Sequence, residues 1–138
     1  MKQKGGIIAF INFAIAAFFV LLALGWTLVQ KGCHWNYQRE ATAFFQTIEE
    51  KEISYKNINN KYLPFNIENS TKALQKLSIN PAEAEYFDFS VEPVDNQTFR
   101  IIARLKPDMV KKWYLHNKKT KFSLIYEKKA GEPGRLVQ

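Results

Sequence analysis

His34, His116 and Cys33 are the residues of this chain best equipped for acid–base, nucleophilic or metal chemistry, and they are its only histidines and its only cysteine. None has the company such chemistry needs. Neither histidine stands in a metal-ligand spacing with Cys33 or with a carboxylate. The sequence carries no serine or cysteine nucleophile motif and no glycine-rich phosphate loop. Glu49, Glu50 and Glu52 form its densest acidic stretch, which reads as the solvated face of a helix rather than an acid–base pair. A single cysteine excludes an internal disulfide, which leaves Cys33 as a packing residue at a membrane edge or a cross-link between subunits. These residues point to a protein that is not an enzyme and needs no cofactor or metal.

Charge is the second chemical signal. The formal net charge is +7, and residues 1–103 contribute nothing to it, with ten basic and ten acidic side chains. Residues 104–138 hold the other ten Lys and Arg against Asp108, Glu127 and Glu132. Lys111, Lys112, Lys118, Lys119 and Lys121, interleaved with Trp113, Tyr114 and His116, have the makings of an anion or partner surface. On a nucleic acid such cations would hold phosphates and the aromatics would stack on bases. The plainer readings are a solvated strand face with edge-blocking lysines, or a dock for an acidic partner or anionic lipid. The triplets Asn69-Ser70-Thr71 and Asn96-Gln97-Thr98 matter only where a glycosylation machinery reads them.

The elements that must position these residues begin with Ile7–Val29, an apolar run of 23 residues with no formal charge. As a helix it spans roughly 34 Å at about 1.5 Å per residue, enough to cross a hydrocarbon core of about 30 Å. A cleaved secretory signal has a shorter apolar core and small residues at the cut, whereas Leu28, Val29, Gln30 and Lys31 follow here. Lipidation of Cys33 would need small or aliphatic residues where Gln30 and Lys31 stand. A retained transmembrane helix over 7–30 is therefore expected. Lys2, Lys4 and the α-amino group on the short flank place the N-terminus inside and residues 31–138 outside the cytoplasm.

Beyond the run, Tyr37, Ala41, Phe44, Ile48, Tyr55, Ile58 and Tyr62 recur at three- and four-residue steps, with one double step of seven, and charged residues lie between them. That spacing predicts an amphipathic helix over 31–63 that continues the first one, stopped by Asn59, Asn60 and Pro64. A short helix capped by Ser70 or Thr71 is expected next. Tyr86–Val91, Thr98–Leu105 and Phe122–Glu127 then alternate at a period of two, as antiparallel strands do. Met109–His116 suits a strand or a short helix, and Ala130–Gly134 reads as loop. The expected class is α+β, a long N-terminal helix packed on a small antiparallel sheet in a globular domain over 64–138.

This layout resembles the type IV pilin and type II secretion pseudopilin family over most of the chain. Its strongest part is Gln38-Arg39-Glu40-Ala41 followed by Phe45, Ile48, Tyr55 and Tyr62. It is similar to the family segment in which Arg-x-Glu-Ala-like residues lead into a helix ending in aromatics, a polar turn and another tyrosine. Met1-Lys2-Gln3-Lys4-Gly5-Gly6 has the form of the family's basic leader, with Gly6–Ile7 as the matching processing bond. The departure is at the fifth mature position, where the family carries a glutamate and this chain has Ile11, or Phe10 if the cut follows Gly5. Ile11 cannot pair with a neighbour's N-terminal ammonium, and Asn12 beside it offers a hydrogen bond across helices worth about 0.6–2 kcal/mol. Asn12 also reads as a single tolerated polar residue.

The resemblance implies a pilin-like fold, in which Ala41, Phe44, Phe45, Ile48, Tyr55 and Tyr62 pack head against stalk. It implies a structural subunit of a filament or secretion system in the inner membrane, minor or tip-type because the glutamate is missing. Its partners would be the lipid bilayer and other pilin-like subunits, met through the N-terminal helix. The alternatives are an uncleaved single-pass accessory subunit of another membrane complex and a DNA-binding minor pilin using the basic C-terminal region.

Overall fold

A computed structural model describes residues 2–111 and 122–138 of the protein, and their side chains except at 2–4 and 30–35. Helix α1 runs without a break from Lys2 to Asn59, 58 residues, or roughly 87 Å at about 1.5 Å per residue. No proline interrupts it, and Gly32 is absorbed at a cost of about 1 kcal/mol. Among the described residues Gly5–Val29 is the one helical stretch long and apolar enough to cross a membrane, and none of them buries it.

The helix stops at Asn59, before the expected residue 63. Asn60 takes a left-handed backbone, φ 58°, which asparagine tolerates better than most residues, and its N–H closes on the Lys56 carbonyl at 2.7 Å. Tyr62 is buried but lies beyond the helix. Ile58, expected on the apolar stripe, is 81 % exposed. At 3.6 residues per turn it points about 80° away from Ile48, past the face that the sheet covers.

Helix α2, Ser70–Lys76, is not capped by Ser70 or Thr71 as expected. Ser70 lies inside it, and its hydroxyl donates to the Ile67 carbonyl at 2.8 Å. Asn69 holds the N-cap position without a side-chain cap bond, because its amide oxygen accepts the Asn66 N–H at 2.9 Å while Asn66 returns the bond at 3.0 Å. A single 3-10 turn, Pro81–Glu83, then leads to the sheet.

Strands β1 (Phe87–Pro93), β2 (Thr98–Leu105), β3 (Ser123–Lys129) and β4 (Arg135–Leu136) form an antiparallel sheet in chain order. β1 and β3 are displaced by one or two residues from their expected spans. β4 matches no expected strand, because two residues cannot show an alternation; the turn before it uses Gly131 at φ 80°. Helix α3, Pro107–Val110, resolves the start of the ambiguous stretch as a short helix. Trp113, Tyr114 and His116 lie outside the described residues, as do Lys112, Lys118, Lys119 and Lys121.

Alternation gives the sheet two unlike faces. Phe87, Phe89 and Val91 of β1, Phe99, Ile101, Ala103 and Leu105 of β2, and Leu124 of β3 are buried toward Tyr37, Ala41, Phe44, Phe45 and Ile48 of α1. The opposite face carries a row in register, Glu92, Arg100, Glu127 and Arg135, alternating in sign across all four strands. The second half of the long helix is therefore part of the head's core.

Candidate functional site: the helix-to-sheet junction

Aromatic rings from both sides form the apolar part of the junction. Phe44 stacks on Phe89 at 4.7 Å and Phe45 on Tyr126 at 5.2 Å. Tyr37 meets Phe87 at 4.7 Å, and Tyr62 meets Phe99 at 4.6 Å. Each such pair contributes about 0.5–1.5 kcal/mol beyond burial. Ala41, Phe44, Phe45 and Ile48, named from sequence, are all buried here; Tyr55 is half-buried beneath the Lys76 ammonium, 5.4 Å from its ring centre.

Three carboxylates of α1 supply the polar part. Glu40 accepts the N–H groups of Glu85 and Tyr86 at 2.8 Å each and of Phe87 at 3.1 Å. It thereby satisfies donors at the entry to β1, on the open side of an edge strand. Glu49 accepts the Tyr126 hydroxyl and pairs with Lys128 at 3.1 Å. Burial, then the bond to Glu49 and its charge, push the Tyr126 hydroxyl up to about 12, so it stays a donor at any physiological pH. Glu52 is fully buried; one oxygen accepts the Leu63 N–H at 2.8 Å and the other has no partner.

Of Glu49, Glu50 and Glu52, expected on a solvated face, only Glu50 is exposed. Glu52 follows Ile48 by four residues and so continues the buried stripe, a signal that its charge masked. Glu49 and Glu40 flank that stripe and reach backbone or hydroxyl donors that only the folded sheet presents, which no spacing in the sequence announces.

The C-terminal turn closes over the Glu49 anchor. A Cβ added at Gly134 would stand 1.8 Å from the Tyr126 hydroxyl oxygen, and the Lys128 ammonium also donates to the Glu132 carbonyl at 2.5 Å. Gly134→Val should displace Tyr126 and cost about 1–3 kcal/mol, as overpacking does. Thermal melting of the detergent-solubilised chain measures this, and an unchanged midpoint would refute the close packing of the turn.

The basic C-terminal quarter is partly neutralised from within. Lys129 pairs with Glu132 at 3.1 Å, and Arg100 and Arg135 reach Glu127 at 2.8 and 3.4 Å. The Arg100 hydrogen bond, chiefly, holds the Glu127 carboxyl below its usual range. Lys106 donates to the Ala84 carbonyl at 2.5 Å. Lys111 is exposed, and the rest of the expected anion surface lies outside the described residues.

On the stalk, Ile7 and Ile11 are exposed, Asn12 likewise, and Gly6–Ile7 lies within the continuous helix. Cys33 and His34 fall in the stretch whose side chains lie outside those described. A cavity of about 910 Å³ opens between residues 64–69 and the outer side of β1 and β2, with Glu68, Glu92 and Arg104 on its walls. Among the described residues no three His, Cys, Asp or Glu side chains converge as a metal site requires. Compared with protein-family models, curated proteins and solved structures, the chain matches none at a significant level.

Proposed function

We propose that this chain is a pilin-like or pseudopilin-like structural subunit, minor or tip-type, anchored in the cytoplasmic membrane with its head outside the cytoplasm. The observation that carries the reading is one unbroken helix with two unlike halves. Gly5–Val29 is uncovered and apolar, and the turns that follow are built into the core of a small sheet. Such a subunit hands force and position from membrane to head through a single rod. Neighbouring subunits pack against the apolar half, where van der Waals contact and the Asn12 amide supply the attraction that lipid alone does not. Ile11 leaves nothing to pair with a neighbour's N-terminal ammonium, which suits a subunit with none above it.

A second reading has its own support. The backbone stays helical through Gly6–Ile7, so cutting that bond requires local unwinding. An uncleaved accessory subunit of another membrane complex keeps it intact. DNA capture gains no support from the internal pairing of Lys129 and Arg135.

The anchor itself is tested by fractionation. The protein should stay with membranes through alkaline carbonate, and added protease should digest the head in spheroplasts while sparing the stalk. Release by carbonate, or protection of the head, would overturn the topology.

A further inference from the structure

Glu52 is the least conventional residue of the junction. Its side chain is wholly buried near the end of α1, one oxygen faces the Leu63 N–H, and the other faces no donor. Leu63 belongs to the connection over residues 60–65. That connection seats Tyr62 on Phe99, and at its far end Phe65 exchanges both backbone hydrogen bonds with Val91, at 3.1 and 2.8 Å. This bridge pairs the open edge of β1.

We propose that Glu52 is the proton-operated half of a clasp that fastens the 60–65 connection, and through it the Phe65–Val91 bridge, to the end of α1. A protonated carboxyl carries no charge to bury in this site and still accepts from Leu63. A carboxylate there holds an unpaired buried charge on a group with one unpartnered oxygen, which costs far more and favours opening to water.

The surrounding charges do not relieve it. On α1, Glu49 is held by Tyr126 and Lys128, and Lys56 donates to the Tyr62 hydroxyl at 3.3 Å and to the Asn96 carbonyl. In the connection Lys61 is exposed, and in α2 Lys76 lies over Tyr55. Arg100 of β2 pairs with Glu127 on the other side of the sheet, and Asp95 in the β1–β2 turn accepts the Gln97 N–H. Among the described residues no cation lies within salt-bridge reach of Glu52.

Burial, opposed by the Leu63 N–H, raises the Glu52 carboxyl from 4.5 to about 7. A carboxyl raised in the closed state holds its proton there more tightly than in the open, hydrated state. The clasp is therefore strongest in acid, weakens as pH climbs from 4.5 through about 7, and levels off above that. Opening frees the Val91 N–H and carbonyl at the sheet edge.

Hydrogen exchange on the full chain in nanodiscs, corrected for the intrinsic pH dependence of exchange, tests this. Between about pH 5 and 8 the opening constant at Leu63, Phe65 and Val91 should rise about 70-fold, while peptides over β2 stay level. Glu52→Gln, neutral at every pH, should abolish the rise. A flat wild-type series, an equal rise over β2, or an unchanged rise in Glu52→Gln would each overturn the clasp. The wild-type series decides alone if the variant does not fold.

Discussion

Ile48→Asp should uncouple the head from the stalk. Ile48 is fully buried beneath the sheet, between Phe45 and Glu52 on the same face of α1. Removing its side chain forfeits about 2–5 kcal/mol of transfer and packing energy. A carboxylate in its place adds several kcal/mol of desolvation with no partner. A head of this size has total stability of about 5–15 kcal/mol, so the sum is enough to unfold it at room temperature. The apolar stretch Gly5–Val29 is not buried in the fold, so membrane insertion should persist. The expected result is a membrane-bound protein whose residues 60–138 are digested by trypsin and lack near-ultraviolet circular dichroism. Ile48→Val, costing about 0.5–1.5 kcal/mol, is the control that should keep the head folded. A head in Ile48→Asp that melts within a few degrees of the wild type would disprove this packing.

Glu40→Ala should be the second most damaging change, although Glu40 is a polar residue at the rim of the interface. It strands three backbone donors, those of Glu85, Tyr86 and Phe87. Hydrogen bonds to a charged group are worth about 1.5–3 kcal/mol each, and a buried donor left alone costs about 1–3 kcal/mol. The Glu85 donor is exposed and recovers water, so the net loss should be about 3–5 kcal/mol. Glu40→Gln separates charge from geometry. Its one carbonyl oxygen can still accept from Tyr86 and Phe87, while its NH₂ meets the Glu85 N–H donor to donor. Gln should therefore lose about half as much as Ala. Chemical denaturation of the three proteins in one detergent measures this order, and equal stability of wild type and Glu40→Ala would remove Glu40 from the junction.

Ile7–Val29 is legible without a structure, because length and lack of charge are properties of sequence alone. The same holds for the α+β layout, since the switch from a period near 3.6 to a period of two is written in Tyr37–Ile48 and again in Phe87–Val91 and Thr98–Leu105. The polar half of the junction is hidden. Glu40, Glu49 and Glu52 look like ordinary surface glutamates until the sheet supplies the Phe87 N–H and the Tyr126 hydroxyl, both distant in sequence, and the 60–65 connection folds back to supply the Leu63 N–H. Asn69 displaces Ser70 as the cap position through a reciprocal bond with Asn66, a pairing that composition does not reveal. Ile58 fits the periodic count in isolation, yet it has drifted about 80° from Ile48 around α1 and off the covered face, so it stays in solvent. Three- and four-residue steps find the face of a helix, but over ten residues their drift carries a position off it.

Glu40 also bears on the resemblance that guides the functional reading. It belongs to the Arg39-Glu40-Ala41 step on which that resemblance rests, and in the fold it accepts the N–H groups of Glu85, Tyr86 and Phe87 at the entry to β1. What separates a filament subunit from a permanent accessory subunit is the covalent state of the N-terminus. Intact-mass measurement of the protein purified from its native membrane tests this most directly. A filament subunit yields a chain that begins at an N-methylated Ile7 and sediments with filaments, whereas a chain that retains Met1 and sediments with none would contradict it.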